Sequence, residues 1–207
     1  MTDPARLMRF VLEMRQAGIT DARVLAALER TPRSAYAPEH LEGLAMDDIG
    51  LPLGHGQAMT KPSIVGRVVS ALQVGRDDSV LEIGTGSGYQ SAVLADLAAK
   101  VVTLDRWAAL VEEARTRFAF AHLPRITAFV ADGALGWPED APYDRIVFNA
   151  ALAEPADVVF DQLKPGGVLV APLIVGAEQR LIRFRNGQRE DLGPIKLPLL
   201  EPGLPDV

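Results

Sequence analysis

From residue 79 onward the chain repeats one pattern: a short apolar run, a turn, then a stretch with helical spacing. Apolar runs fall at 79–83, 101–104, 126–130 and 145–148, with helical stretches through Ala92, Val93, Leu94 and Leu97 and over 107–120. Runs that are apolar at almost every position belong in a parallel sheet buried between layers of helix. The pattern predicts an α/β fold with a mostly parallel sheet and helices on both faces, an architecture that binds ligands at the carboxyl ends of its strands. A longer apolar strand at 168–174 follows Lys164-Pro165-Gly166-Gly167. Residues 179–184 and the segment beyond Asn186-Gly187 then read as a hairpin, because Asn-Gly suits a type I′ turn. The mostly parallel sheet should therefore end in an antiparallel strand pair.

The region before the sheet is different. Asp3 can cap a first helix with Pro4 at its opening position, and Leu7, Phe10, Val11 and Met14 share one face. Gly18 closes it. A second helix begins after Thr20 or Asp21 and buries Val24, Leu25 and Leu28; Pro32 and Pro38 mark an irregular exit. Two short helices rarely make a core alone, so they read as a cap over something else. Residues 49–60 hold three glycines and Pro52 and read as a loop, with a third helix from Pro62.

Composition removes several classes of function. A chain of 207 residues, 48% hydrophobic and 23% charged, can bury enough apolar surface to order itself. Its 21 basic and 27 acidic residues give a net charge of −6, the wrong balance for gripping a nucleic-acid backbone. Having no cysteine, it has no disulfide, thiolate metal site or cysteine nucleophile. Its histidines (His40, His55, His122) show no metal-ligand spacing, so no metal is expected. There is no signal-peptide core and no apolar run of roughly 20 residues that would span a bilayer. The expectation is a soluble, cytoplasmic monomer with no membrane or nucleic-acid partner.

The turn after the first sheet strand is the most informative segment: Glu82-Ile83-Gly84-Thr85-Gly86-Ser87-Gly88. Glycines there let the main chain approach a ligand and take dihedrals closed to other residues. The dinucleotide pattern needs a third glycine where this chain has Tyr89, so that pattern fails. The Glu-x-Gly-x-Gly-x-Gly spacing resembles the S-adenosylmethionine site of Rossmann-like methyltransferases. Asp105, one strand later, stands where an acid can accept hydrogen bonds from ribose hydroxyls, with Arg106 beside it. Asp132 ends the next strand, where it can accept from an adenine amino group while Gly133 leaves room for the ring. Any one of these can be ordinary turn chemistry; three in register at successive strand ends point to a cofactor.

The loop Leu51-Pro52-Leu53-Gly54-His55-Gly56-Gln57, with Arg30-Thr31-Pro32-Arg33 upstream, resembles the protein-L-isoaspartate O-methyltransferase family. The Tyr89-Gln90 pair after the glycine turn, Gly136-Trp137, Ala141-Pro142-Tyr143-Asp144, Gln162-Leu163 and Gln179 extend the likeness over roughly residues 14 to 184. The resemblance implies a class I methyltransferase fold over 1–207. It comprises a helical cap and substrate loop (1–75), a cofactor-binding sheet core (76–185), and C-terminal strands with a tail (186–207). It also implies methyl transfer from S-adenosyl-L-methionine to the free carboxylate of isoaspartyl residues in damaged proteins. Glu82, Gly84, Thr85, Gly86, Gly88, Asp105, Arg106, Asp132 and Gly133 would bind the cofactor. Gln57, Ala58, Met59 and Thr60 would meet the substrate, with Thr60 catalytic as the hydroxyl donor. A carboxylate with a pKa near 4 is already a nucleophile at neutral pH, so the chemistry requires no general base.

The loop departs from the family where substrate would lie. Thr60 replaces the family's serine, Ala58 lacks a usual hydroxyl, and Lys61 adds a charge that reads as a solvated surface lysine. Asn149-Ala150-Ala151 only loosely follows the family's Gly-Ala-Ala, Met46 stands where tyrosine is common, and Ile195 to Leu199 lacks the family's aromatic. His55 in its Gly-His-Gly turn, Trp137 and Tyr143 read as structural. Two alternatives stay open at this level: a methyltransferase for another acceptor, or a non-catalytic cofactor-binding relative.

Overall fold

A computed structural model describes residues 4–205. Asp3, the expected cap of the first helix, lies outside them. Helix α1 (Pro4–Gln16) buries Phe10 and Met14, and Gly18 follows its end at φ 91°. Helix α2 (Ala22–Arg30) is capped by Asp21, whose carboxylate accepts from the Arg23 main chain at 2.8 Å. The 49–60 segment is more ordered than its composition suggests. Strands β1 (Leu51–Pro52) and β2 (Ala58–Met59) pair antiparallel, and Leu53 N donates to Gln57 O at 2.8 Å across the turn. Two-residue strands carry too little alternation for any period to reveal them. Helix α3 (Pro62–Leu72) opens on its proline, where the missing N–H costs nothing.

The Rossmann-like core follows: β3 (Ser79–Ile83), α4 (Tyr89–Leu97), β4 (Lys100–Asp105), α5 (Ala108–Phe120), β5 (Ile126–Val130) and β6 (Tyr143–Phe148). A single-turn helix α6 (Asp157–Phe160), too short to be read from sequence, leads into β7 (Leu163–Val175). Strands β8 (Glu178–Arg185) and β9 (Gln188–Pro194) complete a sheet of order β5-β4-β3-β6-β7-β8-β9. Pairing is parallel from β5 through β7 and antiparallel for β7–β8 and β8–β9. The β8–β9 turn places Asn186 at φ 50° and Gly187 at φ 72°, both left-handed as type I′ requires.

The pleat divides the core in two. Val80, Val101, Val147, Val168 and Val170 face the helices α1 to α5, while Leu81, Ile83, Val102, Leu104, Ile146, Phe148 and Leu169 face the other way. Helix α4 is buried on nearly every side because α2 lies over it, so the N-terminal helices do act as a cover. The opposite face is thinner, closed by α6, Trp137, Phe129 and Leu200. Trp137 stacks on Phe129 at 4.5 Å, and the buried Tyr143 donates to the Trp137 carbonyl at 2.8 Å; both are packing residues, as expected. Among the described residues no helix is long and apolar enough to cross a membrane.

Candidate active site

The parallel strands deliver four loops to one edge, and the β1–β2 hairpin and the chain after β9 close over them. The result is an open cleft of about 930 Å³, measured out to bulk solvent. Its walls include Gly84, Thr85 and Gly86 after β3, Asp105, Arg106 and Trp107 after β4, Ala131 and Gly133 after β5, and Asn149 and Ala150 after β6. Gln57, Ala58, Met59 and Thr60 form the facing wall, and Pro198, Leu199, Leu200 and Glu201 the rim. The cofactor and substrate segments expected from the sequence thus share one cavity. Three of the expected cofactor residues, Glu82, Gly88 and Asp132, do not line it.

Each has a visible task. Gly88 caps α4 at φ 84°, and a Cβ there would come within 2.7 Å of the Phe118 ring. It lets α4 and α5 approach each other. Asp132 accepts from Ala134 N at 3.0 Å with one oxygen and from Gly203 N at 2.8 Å with the other, so it pins the tail beside the cleft. Glu82 is fully buried beneath the glycine turn.

The turn itself is held by its neighbour strand. Gly84 N and Thr85 N both donate to Leu104 O, at 2.8 and 2.9 Å, and Gly86 N donates to Asp105 Oδ2 at 2.8 Å. Asp105 Oδ1 accepts from Trp107 N at 3.1 Å. Burial pushes the Asp105 carboxyl upward, opposed by these main-chain donors and by the Arg106 charge. Arg106 pairs with Glu201 at 2.5 Å, tying the tail to the β4 loop. The His55 ring stacks on Trp107 at 4.3 Å with its backbone at φ 59°, so the Gly-His-Gly turn rests on the cofactor side of the cleft. The ring stack, more than any hydrogen bond, holds the exposed His55 in place. Lys61 is half-exposed and 3.5 Å from Asp48, whose carboxylate also accepts from the main chain and hydroxyl of Ser63. The Thr60 hydroxyl makes no hydrogen bond among the described residues.

Asn149 is the residue sequence reasoning undervalued. Its amide donates to Glu82 Oε1 and to Gly84 O, both at 2.9 Å, and its oxygen accepts from Gln90 at 2.7 Å. A Cβ on Gly84 would lie 3.0 Å from the Asn149 Cβ, and at φ 101° it would be strained as well, so the close approach of the two loops favours glycine at 84. Glu82 also accepts from Thr103 at 2.7 Å and from the Ser91 hydroxyl. Burial nevertheless pushes its carboxyl up to about 7, the donors only partly opposing it.

That shift fixes a stability slope. The folded state holds this proton more tightly than the unfolded chain, whose carboxyl titrates near 4.5. Stability should therefore fall as pH rises from about 4.5 to about 7, by an amount on the order of 3 kcal/mol from this group. Glu82→Gln can keep the network satisfied, accepting from Asn149 and donating to a rotated Ser91 or Thr103 hydroxyl. Chemical denaturation at pH 5 and pH 8 should show the wild-type difference shrink in Glu82→Gln; an unchanged difference would place the slope elsewhere.

A family model described as protein-L-isoaspartate(D-aspartate) O-methyltransferase matches residues 6–194. A relative from Paracoccus denitrificans (strain Pd 1222), named protein-L-isoaspartate O-methyltransferase, is 47% identical over 202 residues, which is 95% of this chain and 94% of its own. A relative of the same name from Azorhizobium caulinodans is 51% identical over 176 residues, 84% of this chain and 81% of its own. Among solved structures, one named protein-L-isoaspartate O-methyltransferase superposes on 93% of this chain with a TM-score of 0.82 at 21% identity. This chain spans 65% of that longer one. A structure from Plasmodium falciparum, titled as a putative enzyme of that name in complex with S-adenosyl-L-homocysteine, gives 0.80 at 18% identity over 93% of this chain and 97% of its own. At such identities the two structures speak to the fold. The family match over most of the length, with close relatives along nearly the whole chain, settles the family: this chain belongs to the protein-L-isoaspartate(D-aspartate) O-methyltransferases.

Proposed function

We propose that the chain methylates the free carboxylate of L-isoaspartyl residues in damaged proteins, using S-adenosyl-L-methionine, and so initiates their repair. The observation that carries this reading is the meeting, in one cleft, of the glycine turn with Asp105 and the Gln57–Thr60 wall.

The residues present fit the cofactor. Gly84 and Gly86 sit at φ 101° and 52°, and the nearest atom to a Cβ on Gly86 would be Leu53 Cδ1 at 3.9 Å. The main chain is therefore bare where a charged ligand can approach it. Ile83, Leu104, Leu110 and Ala131 offer an apolar shelf for a flat ring. Among the described residues the buried Trp107 Nε1 and Arg106 Nε have no hydrogen-bond partner. When bound, S-adenosyl-L-methionine supplies a methyl group on a positively charged sulfur.

Each residue has a physical task around that group. Asp105 keeps lone pairs free after its two main-chain bonds and can accept from the ribose diol. Asp132 stands outside the cleft wall and holds the tail through Ala134 and Gly203; the second lone pair on each oxygen is what would be left for an adenine amino group. Thr60 can donate its hydroxyl to the substrate carboxylate, fixing the direction of attack without removing any proton. The hairpin and the tail flank the cleft, and ligands that displace water from between them would strengthen every polar contact inside. Nothing in the cleft need act as a base.

Two peptides that differ only in carrying isoaspartate or aspartate at one position test the reading. Labelled methyl should pass to the isoaspartyl peptide alone, as a base-labile ester. Label on neither peptide from protein that binds S-adenosylhomocysteine would reject the substrate, and label on both would reject the selectivity.

A further inference from the structure

The 33–36 turn carries a cation that the chemistry above does not use. Arg33 is 1% exposed, yet it makes no ion pair among the described residues. Its partners are main-chain carbonyls: Nη1 donates to Ala45 O at 3.0 Å and Asp47 O at 3.5 Å, Nη2 to Ile49 O at 2.9 Å and Thr60 O at 3.2 Å. The Tyr89 ring lies 5.9 Å from the guanidinium carbon, and Nε has no hydrogen-bond partner among the described residues. Burial lowers the Arg33 pKa, but a guanidinium remains protonated in a protein.

A buried charge held by carbonyls and one ring face, with Asp47 and Asp48 acting on it only from a distance, is a poor stabiliser compared with an apolar side chain of similar volume. What it provides is geometry. Residues 45, 47 and 49 precede β1, and Thr60 follows β2. The planar fork gathers both ends of the hairpin at one point, and one of the four carbonyls belongs to Thr60 itself. Pinning that carbonyl fixes the Thr60 backbone, and a β-branched residue on a fixed backbone has few rotamers left for its hydroxyl.

We propose that Arg33 is the positioning residue of the substrate carboxylate site, acting through the Thr60 main chain to aim the Thr60 hydroxyl. The inference rests on the proposed isoaspartyl activity. Lysine in its place keeps the charge but offers donors from a single point, so it cannot span both flanks of the hairpin.

The test is a double-mutant cycle on the full chain with the isoaspartyl peptide, using wild type, Arg33→Lys, Thr60→Ala and the double variant. Arg33→Lys should lower kcat/KM about tenfold, as a small misplacement of a reacting partner does. Its affinity for S-adenosylhomocysteine should be unchanged. In the Thr60→Ala background the same change should add no further loss, because the atom it aims is gone. Hydrogen exchange supplies a second reading: protection should fall at residues 57–60 and persist at 84–88. Full activity in Arg33→Lys, losses that multiply in the double variant, or protection lost from both segments together would each overturn the inference. A wild type that does not methylate the peptide would instead remove the activity on which it rests.

Discussion

Asp105→Asn should weaken binding of S-adenosylhomocysteine about a hundredfold, nearly as much as Asp105→Ala, though asparagine is almost the same shape. The reason lies in what Asp105 already accepts. Each of its oxygens takes a main-chain N–H, one from Gly86 and one from Trp107. An amide must turn its NH₂ toward one of those donors, which leaves an N–H unpaired and loosens the glycine turn or the β4 loop. It also removes the charge that strengthens hydrogen bonds to a ribose diol. Two such bonds at about 1.5 kcal/mol each give the hundredfold. Calorimetry on the two variants checks the claim; an asparagine variant within a few-fold of wild type would show that Asp105 does not hold the cofactor. Burial alone, which pushes this carboxyl upward, would by contrast favour the neutral amide.

Thr60→Val should lower kcat/KM for an isoaspartyl peptide by about tenfold to a hundredfold, the cost of losing one hydrogen bond to a charged group. Valine keeps the branched shape and the same rotamer restriction, so the change isolates the hydroxyl. The cofactor's affinity should stay as it was. Thr60→Ser restores the donor without the methyl and should retain activity. If valine and threonine prove equally active, the carboxylate is bound by another group on the Gln57–Thr60 wall, and Thr60 is only part of its backbone.

How much of this could be read from the residues follows the range of the interactions. Asp21 at a helix cap, Pro62 at a helix start, Asn186-Gly187 in a hairpin and the apolar strands are local choices, and each appears where its chemistry predicts. The glycine turn and Asp105 were legible because a βα unit places strand ends in register. Long-range returns were not. Leu200 N donates to Ala151 O, Glu201 reaches Arg106 and Gly203 N reaches Asp132, so the tail becomes part of the cleft. No spacing rule connects residues that far apart. Asn149 drew notice only as a departure from a pattern; its three bonds to Glu82, Gly84 and Gln90 needed the neighbouring strands to be in place. Arg33 drew notice only as part of the Arg30–Arg33 run; its contacts were illegible, since its partners are carbonyls that every residue carries.

The last strand of the sheet bears on the company such a protein keeps. An isoaspartyl linkage adds a carbon to the backbone and spoils the geometry of whatever element contains it, so clients present loosened, strand-competent chain. An open sheet edge invites such chain to add as a further strand. At β9 that edge is exposed and carries Gln188, Arg189, Glu190 and Asp191, and it ends on Pro194, which has no N–H to offer. Arg180, Arg183 and Glu154 pair with three of these charges and hold a charged border along the strand. A repair enzyme with a bare, apolar border here would seed aggregates from the molecules it is meant to rescue; along β9 the border is charged instead.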